Sequence, residues 1–195
     1  MFKRVIGICG LHGAGNDTVR QMLEQKLPAI GAVTSDCVRE ATTAKGLSLE
    51  RDNLYRVANE GRVQQGEGVW ARRAWEKVQA QQDQYPYALI GGIRSPAEVH
   101  TLKQLTHNQF TLIAVTAPLE VRYQRVVARR REGEDQITLE AFRAKEEREL
   151  AGGPGKQNIT DTLALADYKI ENDGTPEQLE QKVDQLVQLI QQLSK

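Results

Sequence analysis

The stretch that decides the fold is Val5-Ile6-Gly7-Ile8-Cys9-Gly10-Leu11-His12-Gly13-Ala14-Gly15-Asn16-Asp17-Thr18. Its apolar start predicts a buried strand, and the glycine-rich turn leads into a segment of helical period that begins near Val19. Such a turn aims its backbone N–H groups and the positive end of the helix dipole at one point. The stretch therefore predicts an anion-binding loop suited to phosphate.

Only the first half of this loop matches the phosphate-binding motif G-x-x-x-x-G-K-[ST]. Gly10 and Gly15 have the required spacing, but Asn16 stands at the lysine position and Asp17 at the Ser/Thr position. Asparagine donates a hydrogen bond to a phosphate oxygen and cannot neutralise its charge. We expect phosphate binding to suffer less than phosphoryl transfer, because the glycine backbone supplies much of the binding. The alternative is a plain strand-to-helix turn.

Four further apolar runs follow the loop, separated mostly by longer charged segments of helical period. They are Ile30–Thr34, Tyr87–Ile90, Phe110–Val115 and Tyr168–Ile170. Short apolar strands alternating with helices are typical of a parallel sheet that is covered on both faces. We therefore predict a single three-layer α/β domain over residues 1–195, with a five-stranded parallel sheet flanked by helices. Residues 49–82 are predicted to form two helices inserted between the second and third strands.

Composition limits the partners that the chain can have. Its 195 residues carry 26 Lys+Arg and 26 Asp+Glu, so the formal charge is +0. A neutral chain lacks the general electrostatic attraction to nucleic acid or anionic membrane, so we expect a small-molecule partner, no nucleic acid and no membrane. Its apolar runs are shorter than the ~20 residues that span a bilayer. Two cysteines cannot form a disulfide framework, and we expect a cytoplasmic protein.

The last helical segment carries an apolar seam, and its spacing leaves two interpretations open. The seam consists of Leu179, Val183, Leu186, Ile190 and Leu193. About two heptads are fewer than a convincing coiled coil needs. We favour packing of this helix on its own sheet, and a weak homodimer through the C-terminal helix is the alternative.

Beyond the loop, the order and spacing of several motifs resemble the P-loop kinases of small nucleotides. The resemblance is to the dephospho-CoA kinase-like and deoxynucleoside monophosphate kinase-like group, whose members are also described as AAA-family ATPases. It runs over nearly the whole chain and implies a P-loop NTPase fold with a helical acceptor-binding insertion at 49–82 and a lid at 125–155. The motifs are Gly13–Thr18, Ser35–Glu40, Arg51–Leu54, Ala58-Asn59, Gly91–Val99, Arg122–Arg125, Lys156–Ile159 and Glu171–Thr175.

The resemblance implies that ATP and Mg²⁺ are the cofactors. The residues that would bind ATP are Gly10, Gly13, Ala14, Gly15, Asn16, Asp17 and Thr18 in the loop, with Asn172 and Gly174 against the adenine base. Asp17 and Thr18 would also be the metal-binding pair. For the Asn172-Asp173-Gly174 segment, the alternative is a plain turn.

The resemblance also implies an acceptor site and a set of catalytic residues. Asp36, Arg39 and Arg94 would bind the acceptor, with Asp36 as the base. Arg94, Arg125 and Arg129 would neutralise charge during transfer, and Arg130 and Arg131 continue the same basic run. Ordinary surface ion pairs or a solvated helix end are the alternatives for these arginines.

One further departure from the kinase pattern bears on activity. Gly91 stands where related kinases place an Asp or Glu at the end of the third strand. Arg20 and Lys156 are candidate replacements for the missing lysine. Two functions are therefore compatible with the chain. One is an ATP-dependent kinase that phosphorylates a nucleoside monophosphate or dephospho-CoA type of acceptor, and the other is a catalytically impaired pseudokinase that acts as a nucleotide-binding sensor or partner subunit.

Overall fold

The computed structural model describes residues 1–129, 137–150 and 157–194. The strands are β1 (Arg4–Gly10), β2 (Ala29–Val33), β3 (Tyr87–Ile93), β4 (Phe110–Thr116) and β5 (Tyr168–Glu171). The helices before β3 are α1 (Asn16–Lys26), α2 (Thr34–Ala44), α3 (Arg51–Gln65) and α4 (Val69–Gln79). Those after it are α5 (Pro96–Leu105), α6 (Leu119–Ala128), α7 (Leu139–Leu150), α8 (Ile159–Ala164) and α9 (Pro176–Gln192).

All five strands are parallel, and their order in the sheet is β2-β3-β1-β4-β5. The five-stranded parallel sheet predicted from the apolar runs is therefore confirmed. Because β1 lies in the middle, the chain must cross from one side of it to the other between β3 and β4. In open parallel sheets, ligands bind at the carboxyl edge near such a crossing. The glycine-rich turn after β1 lies at this point.

Two apolar cores cover the two faces of the sheet. Along β1, Val5 and Cys9 belong to one core, and Ile6 and Ile8 belong to the other. This alternation follows from the two-residue period of a strand. The first core is closed mainly by α2, α3, α4 and α5, and the second is closed by α1 and α9. The three-layer arrangement follows from this division.

The segment 49–82, which was predicted to form two helices, contains α3 and α4, and residues 66–68 separate them. Gly66 ends α3 with a φ of 94°, a conformation that favours glycine. Trp70 holds the two helices together, since its indole N–H donates to the carbonyl of Ala58 at 3.0 Å. A Cβ on Gly61 would lie 2.4 Å from the Trp70 ring, so only glycine permits this contact.

The start of α1 and the exposure of Leu193 differ from the sequence-based expectation. α1 begins at Asn16 rather than near Val19, because Gly15, with a φ of 99°, turns the chain directly into the helix. In α9, Leu179, Val183, Leu186 and Ile190 are buried in the second core, whereas Leu193 is 42% exposed. Packing of this helix on its own sheet is thus confirmed for the buried residues, and the homodimer contact stays a prediction.

Within the described ranges, no helix is both long enough and apolar enough to cross a bilayer. Of the lid expected at 125–155, residues 130–136 and 151–155 lie outside the described residues. The same holds for Arg130, Arg131 and Lys156.

Candidate functional site

The turn after β1 has a backbone that requires glycine. Gly13 and Gly15 have φ values of 80° and 99°. Close contacts add to this requirement, since a Cβ on Gly10 would lie 2.3 Å from the Val115 carbonyl oxygen and one on Gly13 would lie 2.7 Å from the Arg122 carbonyl oxygen. These glycines therefore hold the loop tightly against β4 and α6.

The loop leaves several backbone donors open at the start of α1. Within the described residues, the N–H groups of Gly13, Gly15, Asn16 and Asp17 make no hydrogen bond. The helical pattern starts only where the Val19 N–H donates to the Gly15 carbonyl at 3.0 Å. Open N–H groups at a helix N-terminus attract anions. We call these four open N–H groups the cradle, because their arrangement is suited to phosphate oxygens.

The side chain of Asn16 holds the loop together through hydrogen bonds to its backbone. Its side-chain amide donates to the carbonyls of Gly10 and Leu11 at 3.2 and 3.4 Å. Its buried side-chain oxygen makes no hydrogen bond to the described residues. The carboxamide therefore stabilises the turn itself. Asp17 and Thr18, the expected metal-binding pair, are exposed on the first turn of α1.

Asn172 joins the loop after β5 to the glycine-rich turn. Its side-chain N–H donates to the Ala14 carbonyl at 2.8 Å, and its backbone N–H donates to the Thr116 carbonyl at 2.7 Å. Arg125 donates to the Asn172 carbonyl at 2.9 Å and to its side-chain oxygen at 3.2 Å. We expected Arg125 to face the transferred group, and the structure places its guanidinium on Asn172 instead. The expected adenine contact of Asn172 and Gly174 stays a prediction.

A buried ion pair fastens α7 to α6 above the loop. Arg122, which is 4% exposed, donates through Nε to the Ala117 carbonyl at 2.8 Å and pairs with Glu146, with an Nη2 to Oε2 distance of 3.0 Å. Phe142 packs beneath the pair, with ring centres 5.9 Å from Tyr123 and 6.1 Å from His12. Sequence analysis quoted Arg122 only as part of a motif and missed this contact. The lone aromatic residue in the charged α7 segment was the available signal.

Replacing Arg122 by alanine is expected to lower the free energy of unfolding by about 3 kcal/mol, because Glu146 would be left partly buried without its partner. Urea unfolding measures this loss. Lys45→Ala is the control, since the Lys45–Glu60 pair, at 2.6 Å, is well exposed on both sides. That substitution should cost less than about 1 kcal/mol. Equal losses in the two variants would show that the pair does not hold α7.

His12 lies between the loop and α6. Arg129 Nη2 is 2.8 Å from His12 Nε2. A guanidinium only donates, so the His12 nitrogen is the acceptor in this contact. This contact places Arg129 beside the glycine-rich turn.

The acceptor residues predicted from the sequence lie in two places. Arg94 follows β3, its Nη1 donates to the side-chain oxygen of Gln157 at 3.1 Å, and it borders a cavity. This cavity is also lined by Gly10, Leu11, His12, Phe142, Lys145, Glu146, Leu150, Gln157 and Ile159. The structure therefore brings Arg94 and the glycine-rich turn to one cavity. Arg39 and Asp36 instead pair with each other at 2.7 Å on the exposed start of α2.

Arg20 does not replace the missing lysine. Its guanidinium pairs with Glu24 on the next turn of α1. A Cβ on Gly91 would lie 3.1 Å from the Arg20 side chain, so this arginine occupies the space beside the position where related kinases have a carboxylate. Arg20 is therefore directed along the sheet rather than towards the cradle.

Two buried titratable groups lie near the site. Cys9 is a core thiol, and burial raises its pKa to about 12. Burial also raises the pKa of Glu98, and the nearby Arg62 and Arg94 charges oppose this rise. Sequence analysis did not single out Arg62 or Glu98. In the described part of the chain, no three His, Cys, Asp or Glu side chains form a metal-binding group.

A family model described as an AAA domain matches residues 6–152. The chain is 31% identical to a UPF0200 protein of Thermococcus gammatolerans, covering 95% of this chain and 95% of that protein. It is 32% identical to a UPF0200/UPF0201 protein of Archaeoglobus fulgidus, covering 94% of this chain. This chain spans 55% of the length of the Archaeoglobus fulgidus protein.

Two solved structures are similar over nearly their whole length. One is a shikimate kinase from Acinetobacter baumannii in complex with shikimate, with a TM-score of 0.53 and 20% identity over 97% of this chain and 93% of that one. The other is a gluconokinase from Sinorhizobium meliloti, with a TM-score of 0.57 and 11% identity over 98% of this chain and 96% of that one. The three-layer fold expected from the sequence is thus the fold of P-loop kinases.

Proposed function

The chain belongs to the AAA-domain family, and on that premise we propose that it is an ATP-dependent kinase. It transfers the γ-phosphoryl group of ATP to a nucleotide-like acceptor of the nucleoside monophosphate or dephospho-CoA type. The observation that supports this proposal is the cavity that Arg94 shares with Gly10, Leu11 and His12, the first residues of the glycine-rich turn. Phosphoryl transfer depends mainly on positioning the reactants and on neutralising their charge. The glycine-rich turn and Arg94 would supply these two functions.

The residues around the cradle fit a nucleotide triphosphate. The open N–H groups of Gly13, Gly15, Asn16 and Asp17 would hold phosphate oxygens, supported by the dipole of α1. Asp17 and Thr18 would bind Mg²⁺ together with those oxygens, because the exposed start of α1 leaves both side chains accessible. ATP supplies the phosphoryl group and Mg²⁺ neutralises its charge when both are bound.

The remaining residues have one of two roles. Some bind the acceptor, and others neutralise the charge that develops during phosphoryl transfer. Arg94 and Arg39 hold the acceptor, and Asp36 takes the proton when the acceptor group is a hydroxyl. Arg129, which lies beside the cradle next to His12, neutralises developing charge. Arg125 acts indirectly, since it positions Asn172 and through it the backbone at Ala14.

A second candidate function is a nucleotide-binding pseudokinase that acts as a sensor or partner subunit. The observation that favours it concerns Asn16, the residue at the lysine position. Its side chain donates to the loop carbonyls and so holds the turn. Arg20, paired with Glu24, does not supply the missing charge. Such a protein would bind ATP and would not transfer its phosphoryl group.

Assay of the full chain with ATP, Mg²⁺, nucleoside monophosphates and dephospho-CoA separates the two functions. A kinase is expected to phosphorylate at least one of them, and Arg94→Ala should lower kcat/KM by about 100-fold, as the loss of one charged contact in a transition state does. Arg72→Ala is the control, because Arg72 is an exposed arginine on α4. ATP binding without turnover on any of these acceptors would favour the pseudokinase, and the absence of ATP binding would exclude both.

A further inference from the structure

A second cavity, which we call the basal cavity, lies at the opposite edge of the sheet from the glycine-rich turn. Its walls come from the start of β1, the end of α4 and the segment between α5 and β4. Val5 in its wall and Gly10 at the turn are separated along β1 by about 16 Å of extended strand. In the described part of the chain, no residue lines both this cavity and the one that Arg94 borders.

The inner wall of the basal cavity is aromatic and apolar. Phe2 and Trp75 meet edge to face, with ring centres 5.8 Å apart and an angle of 66° between the rings. Both side chains are buried, as is that of Val5, and all three belong to the first core. The cavity beside them has a volume of about 250 Å³. An apolar cavity of about 150 Å³ is enough for benzene, so this one can hold a planar molecule of two fused rings.

The rim of the basal cavity is polar and carries no formal side-chain charge. Gln79, Gln82 and Gln109 line it, and their side-chain amides make no hydrogen bond to the residues that the structure describes. Among the described lining residues there is no Asp, Glu, Lys or Arg. Each amide offers both a donor and an acceptor. A charged ligand would lose hydration here without gaining a counter-ion, whereas a neutral polar ligand would exchange water for amide partners.

The turn between α5 and β4 fixes one side of this rim. His107 and Asn108 have φ values of 50° and 63°, so two successive residues other than glycine are left-handed. Backbone of this kind persists only where the surrounding contacts hold it. The Gln109 N–H donates to the Thr106 carbonyl at 2.9 Å, and the Gln109 carbonyl accepts from the Val5 N–H at 2.9 Å. Gln109 is therefore held at the cavity by an ordered backbone.

We propose that the basal cavity binds an uncharged, planar nitrogen heterocycle of two fused rings that carries amide-type donor and acceptor groups. The rings pack against Phe2 and Trp75, and the polar edge bonds to the glutamine amides of the rim. This site goes beyond the proposed kinase function, because it lies at the other edge of the sheet from the cradle and from Arg94. The competing explanation is a crevice that holds only water.

Indole-3-carboxamide is the probe, and the NMR signals of the two tryptophan indole N–H groups are the readout. Trp75 lines the cavity, and its signal is identified by its loss in Trp75→Phe. Trp70 is the internal reference, because its indole N–H donates to the Ala58 carbonyl away from the cavity. Titration should move the Trp75 signal saturably, with a Kd of about 1 mM or tighter, and leave the Trp70 signal in place. Indole-3-carboxylate, which has the same shape and a negative charge, should bind at least about tenfold more weakly.

Variants of Gln109 test whether the probe occupies this cavity. Gln109→Phe fills the cavity from its rim and should weaken binding of the carboxamide at least about tenfold. Gln104→Phe is the matched control, because Gln104 is exposed on α5 and does not line the cavity, and it should change the affinity by less than about twofold. Gln109→Met keeps the side-chain length and removes the amide, so it should cost about fivefold, as the loss of one neutral hydrogen bond does. This milder variant keeps the test available if Gln109→Phe does not fold.

Several outcomes would overturn the proposal. They are the absence of a saturable Trp75 response, equal affinities for the carboxamide and the carboxylate, and an affinity that is unchanged in both Gln109 variants. A Trp75 signal that moves with protein concentration alone would show that a second copy of the chain fills the cavity, and it would overturn the assignment to a small molecule.

Repeating the titration with saturating ATP and Mg²⁺ separates this proposal from the kinase function. The Trp75 response should persist with ATP bound, since the two sites share no described residue. Loss of the response through competition with ATP would overturn the basal site. If the chain binds no ATP and still gives a Trp75 response that depends on Gln109, the kinase proposal fails and the basal site remains.

Discussion

Gly15→Val should reduce ATP affinity by at least about 100-fold, a loss of roughly 2.8 kcal/mol or more in binding free energy. Gly15 has a φ of 99°, and a Cβ there would lie 2.4 Å from the side-chain nitrogen of Asn172. Valine must therefore move the turn away from Asn172 and from the start of α1. The backbone N–H groups that would hold phosphate then no longer point to one place. Calorimetric titration with ATP and Mg²⁺ measures the loss.

Gly66→Val provides the matched control for this prediction. Gly66 has a similar φ of 94°, but no atom lies within 4 Å of the position that its Cβ would take. Valine at this position carries the same backbone strain, about 1–3 kcal/mol, without a collision at the cradle. ATP affinity should stay within about twofold of the wild type in this control. Similar ATP affinities in the two variants would mean that the turn is not the nucleotide site.

Asn16→Lys has the second largest expected effect, a rise of about 100-fold in phosphoryl transfer if the lysine is the main group missing. The lysine side chain would place a positive charge at the end of the turn, where the wild-type carboxamide only closes the loop onto Gly10 and Leu11. ATP affinity should rise as well, and by less, because the backbone N–H groups already supply much of the binding. Initial rates with the acceptor panel and calorimetry with ATP measure the two effects.

Asn16→Met is the control for this substitution. Methionine has a similar length to lysine and removes the same two amide hydrogen bonds, but it carries no charge. A gain in Asn16→Lys that is absent from Asn16→Met therefore belongs to the charge. If neither ATP affinity nor turnover changes in Asn16→Lys, the turn does not hold phosphate.

Patterns within short segments predicted much of the fold. The apolar runs located the strands, because a strand buried on both faces needs consecutive apolar residues. The break between α3 and α4 was visible at Gly66, since glycine readily adopts positive φ and ends helices. The start of α1 was placed too late, because the left-handed conformation of Gly15 brings the helix directly onto the turn.

Side-chain partners in the site were less predictable. Arg122 meets Glu146 across 24 positions in sequence, and Arg125 meets Asn172 across 47. No local spacing rule connects such residues, because their distance is set by how the helices pack on the sheet. Arg62 was missed for the same reason, since its burial depends on how α3 packs in the folded chain.

The sequence by itself determined that this protein is a parallel α/β domain with a glycine-rich turn after its first strand. The periodicity of apolar residues and the positive φ that glycines tolerate are local properties, so they can be recognised without a fold. Tertiary structure alone decided what the charged side chains do: Arg125 positions Asn172, Arg122 fastens α7, and Glu98 accepts from the Arg94 backbone N–H. Electrostatic interactions depend on distance in space and on burial, and both exist only once the chain has packed.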